Sequence, residues 1–153
     1  MARVKVDIKK MLAFLPKAQK DFQDSIMSEI GGEIDAQISK GVSPVAGLAR
    51  YGQYKPSYQG SIKAGYQGGS KRVRPVNLHV TGELRGSQKV KASNGKVNIS
   101  YSDEKAKYHN VGTNNMVRRP LLPTNKGEEF SRVIAKFLFG KAKKVFDAVL
   151  RKS

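Results

Sequence analysis

The chain reads as an α+β domain: an N-terminal helix, a small antiparallel sheet with a long extended arm, and a C-terminal helix packed on the sheet. Two observations predict this class. Apolar residues recur at spacings of three and four towards both ends, and at a spacing of two in the middle, around an Asn-Gly pair. At 153 residues one domain spanning 1–153 is expected, large enough for a single core.

Pro16 is a helix-start signal, and Phe22, Ile26, Met27, Ile30, Ile34 and Ile38 form one apolar stripe. The spacing predicts a helix over 17–40, ended by Gly41. Gly31-Gly32 in its middle has three readings: a kink or hinge, a place where a neighbouring helix packs closely, or a pair that the helix merely tolerates.

Residues 41–77 keep no period. They hold Pro44, Pro56 and Pro75, many glycines, and Tyr51, Tyr54, Tyr58 and Tyr66. No acidic residue occurs between Ala36 and Gly82, where Lys40, Arg50, Lys55, Lys63, Lys71, Arg72 and Arg74 fall. Low hydrophobicity with uncompensated charge disfavours independent folding. The segment is expected to be an extended basic arm that orders on a neighbouring subunit or partner; the alternative is a surface loop with a short strand or helical turn.

From Leu78 the period changes to two. Residues 87–92 and 97–101 flank Ser93-Asn94-Gly95, and Asn-Gly suits a tight hairpin turn. Val97, Ile99 and Tyr101 alternate with Asn98 and Ser100, so one face is expected inside and the other wet. Another short strand is expected over Val117–Leu122, with Pro120 arguing for an edge position; the sheet region is thus 78–122. A second helix is expected over 128–151, with Glu128 and Glu129 in its first turn and Thr124 or Asn125 as cap. Its stripe is Phe130, Val133, Ile134, Phe137, Leu138, Val145, Phe146, Val149 and Leu150, with Gly140 as an expected break or bend. Lys136, Lys141, Lys143 and Lys144 lie mostly opposite, as on a solvated face.

Composition restricts the function. Without cysteine there is neither a disulfide nor a thiolate metal site. No apolar run reaches the roughly 18 residues of a membrane span, and the basic start leads into no signal segment, so a soluble protein without a cleaved leader or membrane partner is expected. The formal charge of +17 calls for a polyanionic neighbour or acidic partner surfaces. The histidines, His79 and His109, have no metal-pair spacing. Ser87, His109 and Asp103 lack the elbow context of a nucleophilic triad, and no phosphate loop occurs. His109, between Tyr108 and Asn110, reads as a hydrogen-bonded structural residue. No catalytic, metal or cofactor site is expected. A basic stretch interleaved with tyrosines does suit non-specific, salt-dependent contact with nucleic acid.

Three pieces remain: Thr81-Gly82-Glu83-Leu84-Arg85-Gly86-Ser87; Ala106-Lys107-Tyr108-His109-Asn110-Val111-Gly112-Thr113; and Arg119-Pro120-Leu121-Leu122. With the hairpin between the first two and the helix after the third, they resemble, in order, the TGxLxxS, YAxYHxxGT and RPxL elements of tailed-bacteriophage neck or tail-completion proteins, the head–tail joining or virion-morphogenesis group. The resemblance covers about Leu78 to Phe139. Val117-Arg118 departs from the Pro-Ala-like pair more often found there.

The resemblance implies a non-enzymatic virion protein of the neck or tail, made in the host cytoplasm and assembled as a homo-oligomeric ring that completes the tail and joins it to the head. Implied partners are copies of itself, adjacent neck or tail-tube, terminator and head-completion proteins, and genomic DNA in the channel. A tail terminator or stopper elsewhere in the stack is a variant of this role, and a non-specific nucleic-acid-binding protein using the arm is the alternative. Interface candidates are Arg50, Tyr54, Tyr58, Tyr66, Arg72, Arg74, Arg85, His109, Arg118 and Arg119, the last either pairing with a carboxylate of an adjacent subunit or lying on the surface. Gly82, Gly112 and Pro120 are candidates for backbone geometry.

Overall fold

A computed structural model describes residues 2–7, 16–65, 72–78, 82–93 and 96–151. The elements are β1 (Ala2–Asp7), α1 (Pro16–Ser39), α2 (Pro56–Lys63), α3 (Glu83–Gly86), β2 (Gln88–Ser93), β3 (Lys96–Tyr101), α4 (Lys105–Val111) and α5 (Arg132–Arg151). The α+β class stands. Tyr66, His79, Thr81 and the Asn94-Gly95 turn lie outside the described residues.

α1 is the spine. Phe22, Ile26, Ile30, Ile34 and Ile38 are all fully buried. A row at four-residue spacing winds about 40° around the helix per step, so one row can serve two partners. Accordingly α1 packs on β2 and β3 and also on α5. Gly31 marks the closest approach: a Cβ there would stand 2.3 Å from Gln88 Oε1 and 3.5 Å from Val90 Cγ2. Close packing, rather than a hinge, explains it. Two ion pairs tie α1 to its neighbours, Arg85 to Asp35 and Lys141 to Glu29.

The sheet has the order β1-β3-β2, antiparallel throughout. Ile99 is flanked by Val4 and Val90, and Val97, Ile99 and Tyr101 are buried as the alternation predicts. Ser93 pairs with Lys96, leaving two residues for the turn.

The structure corrects five expectations. The third strand is β1, not 117–122, because the latter segment gives its polar groups to side chains and to α4 instead of a strand. The C-terminal helix begins at Arg132. Residues 129–131 instead bridge to 44–46, through Val45–Phe130 pairing, Ala46 N–H to Glu129 C=O (2.9 Å) and Ser131 N–H to Pro44 C=O (2.7 Å). That helix packs chiefly on α1 and runs through Gly140 without a break. Finally, the described part of 41–77 is no extended arm. Tyr51, Tyr54, Ile62 and Val76 join the core, and α2 forms behind Pro56 at its first turn. The aromatic and aliphatic residues scattered between the glycines bury enough surface to hold the segment on its own chain.

Candidate functional site

The three motifs meet at one place, organised by the C-terminal end of α4. Ala106 and Asn110, one turn apart, both face inward. Asn110 Oδ1 accepts from Leu121 N–H (2.7 Å), and its Nδ2 donates to Leu122 C=O (3.1 Å) and Thr124 Oγ1 (2.9 Å). Carbonyls in the last turn of a helix lack intrahelical partners. Here Asn110 C=O accepts from Arg118 Nε (2.5 Å) and His109 C=O from Arg119 N–H (2.8 Å). The 118–124 segment is thereby stitched to the helix as if it were a strand, which is why it reads as an edge strand in sequence although it pairs with none among the described residues.

Gly112 makes this junction possible. Its φ is +76°, and a Cβ would lie 3.3 Å from both Arg118 N and Met116 O. The chain then turns back through Thr113 and Met116, which exchange backbone bonds of 3.0 and 3.2 Å. Gly82, at φ +91°, opens α3, where Leu84 is buried and Ser87 Oγ donates to Leu84 C=O (2.8 Å).

Arg119 is the largest departure from the expected site. It is 3% exposed, turned into its own chain rather than lying on the surface. Its guanidinium donates to the carbonyls of Gly52 (2.9 Å), Gln53 (2.7 Å) and Val117 (3.3 Å), with Cζ 4.6 Å from the Tyr54 ring centroid. Carbonyl dipoles and an aromatic face replace water around the charge. Burial lowers its pKa from the ordinary value, though an arginine remains charged. Beside it, Pro120 C=O accepts from Tyr51 Oη (3.1 Å) and Ser43 Oγ (3.2 Å). The tyrosine-rich segment and the Arg-Pro motif, nearly seventy residues apart, therefore form one clamp. Burial pushes the Tyr54 hydroxyl up to about 12, the nearby Arg119 only partly opposing it.

Arg118 takes the other direction, pairing with Glu128. Burial alone would raise the Glu128 pKa, but hydrogen bonds from Asn125 and Arg118 outweigh it and hold the carboxyl below its usual range. Glu128, expected in a helix, is instead the anchor of a turn. Arg85 is likewise committed within the chain, to Asp35.

Between these parts lies a cleft of about 650 Å³, lined by residues of all three motifs and the tyrosine segment: Tyr54, Tyr58, Leu78, Gly82, Leu84, His109, Met116, Val117 and Arg119 among them. Tyr54 and Tyr58 meet edge to face at 5.2 Å. Lys55 and Lys105 stand exposed on its wall, Lys105 3.5 Å from Glu83. Tyr108, Val111 and Val117, on α4 and the turn after it, are largely exposed. The hydroxyl of Ser87 is used in its turn, and Asp103 Oδ1 accepts from Lys105 N–H (2.9 Å) at the start of α4. Among the described residues no group of acidic and histidine side chains is arranged to hold a metal, and no helix is long and apolar enough to cross a membrane.

Arg50, Arg72 and Arg74 are exposed, the last two on a separate shallow basic depression with Lys63. Sequence reasoning missed Asn110, Asp35 and Tyr51 as organising residues. Only Tyr51 carried a signal, as an aromatic residue in a stretch otherwise short of large side chains. Comparison with protein-family models, curated proteins and solved structures finds no match.

Proposed function

We propose that the protein is a structural component of a tailed-phage neck or tail, forming a ring of identical copies that completes the tail and joins it to the head. The observation that carries this reading is the convergence of the three motifs on one bracket, where Asn110, Arg118, Arg119, Gly82 and Gly112 serve architecture. A cyclic ring needs a heterologous interface, two different patches on each copy that meet head to tail. Exposed apolar side chains in two separate regions suit it: Tyr108, Val111 and Val117 on α4 and the turn after it, and Val133 and Phe139 at different points around α5. The alternative, nucleic-acid binding through the 41–77 segment, is weakened because Tyr51 and Tyr54 are turned inward and are not free to stack on bases.

The test is removal of the gene from the phage that carries it. The expected result is filled heads and separate tails that join when purified protein is added back, with the polypeptide found by mass spectrometry in complete particles. Infectious particles of normal morphology lacking the polypeptide would overturn the reading.

A further inference from the structure

We infer that the outer face of the three-stranded sheet is a contact surface for the phosphate backbone of double-stranded DNA. The inner face of this sheet packs on α1, and among the described residues no helix is seen packed on the opposite face of β2 and β3. By register, Arg3 lies against Ser100 and Ser100 against Lys89, and Asn98 against Lys91. Arg3, Lys89 and Lys91 are exposed, with Lys96, Asn98 and Ser100 half-buried between them. Lys5 is registered opposite Asn98; the only acidic residue in the three strands, Asp7, is registered opposite Lys96 at one end. Lys89 and Lys91 form no ion pair among the described residues.

The residue types on this face select among anionic partners. It carries no aromatic side chain, so it offers no platform on which single-stranded bases stack. It carries no large apolar residue, and protein interfaces are depleted in lysine and centred on apolar or aromatic anchors. What remains is cations spread about 10 Å across the sheet and about 7 Å along a strand, with an amide and a hydroxyl between them. Side chains of these kinds are the ones that contact phosphates. A duplex offers one charge per roughly 1.7 Å of axis. A second copy of the chain meeting this face with its own equivalent face is a poor occupant, since the same cations would then oppose one another. This inference does not rest on the ring assembly proposed above.

The experiment measures binding of the intact protein to a fluorescent duplex of arbitrary sequence over a range of salt. Four cationic contacts give a log–log slope of about −3.6, so affinity falls about 150-fold between 50 and 200 mM salt. The variant Lys89→Gln/Lys91→Gln should weaken binding at least tenfold and flatten the slope by about 2, with its thermal melt unchanged. A matched control, Lys136→Gln/Lys144→Gln on the exposed side of α5, should retain the slope. The assignment is overturned if the wild type fails to bind at 50 mM salt, if the sheet variant keeps its slope, or if both variants lose it equally. It is also overturned if poly-glutamate or anionic phospholipid vesicles bind as tightly as the duplex at equal charge. Intact binding with failed head–tail joining, or the reverse, separates this inference from the proposed function.

Discussion

Replacing Asn110 with alanine tests the bracket directly. The side chain is 2% exposed, and it satisfies Leu121 N–H and Leu122 C=O, both on fully buried residues. Alanine leaves those two backbone groups without partners, at about 1–3 kcal/mol each. The expected loss is about 4 kcal/mol, which for a domain of this size lowers Tm by roughly 8–16 °C. Urea unfolding followed by far-ultraviolet circular dichroism should show the midpoint falling with little change in slope. Thr124→Ala is the control, because it removes one exposed partner of the same amide and should cost under about 1 kcal/mol. Asn110→Asp keeps an acceptor for Leu121 but loses both donated bonds and buries a charge, so it should be no better than alanine. If Asn110→Ala costs less than about 1 kcal/mol, the 118–124 segment is held by something other than this amide, and the account of the motif is wrong.

Gly32→Ala meets nothing within 4 Å and should stabilise the protein by about 0.5–1 kcal/mol, while Gly31→Ala displaces Gln88 and should yield no gain; equal stabilisation by both in thermal melts would contradict the packing of α1 on β2. Gly112→Ala should cost at least about 1–3 kcal/mol by chemical denaturation, since both its φ and the close approach of Arg118 oppose a side chain. Glu128 has a lowered pKa, so its stabilising contribution is present above the unfolded value of about 4.5 and lost as pH falls through the lower folded value. Glu128→Gln should therefore be less stable at neutral pH and show a flatter acid limb. Tyr54 keeps its proton up to about 12 in the folded state, whereas the unfolded chain releases it near 10, so stability should fall as pH rises between those values. In Tyr54→Phe that alkaline loss should shrink, and absorbance titration should lack the phase near 12 while the more deeply buried Tyr51 and Tyr101 still titrate above it.

Much of the fold was legible because local periodicity reports which face is buried. The isoleucine row of α1, the alternation of β3 and the stripe of α5 each carry that signal within a few turns or residues. The hairpin was legible for the same reason, since its turn and both strands are adjacent in sequence. The site was legible only as a set of motifs. That Arg119 would be drawn inward depends on carbonyls at Gly52 and Gln53 and on the ring of Tyr54, all remote in sequence. An arginine's pattern in sequence is the same whether its charge meets water or a ring of carbonyls.

Sequence alone thus determined the α+β class, the two long helices, the hairpin and the basic charge balance, all properties of contiguous residues. Tertiary structure decided the identity of the third strand, the folding of the tyrosine segment onto the core, and the conversion of the Arg-Pro motif into an internal clamp. Those outcomes follow from the pairing of buried polar groups, because each buried donor or acceptor must find a partner wherever in the chain one is available.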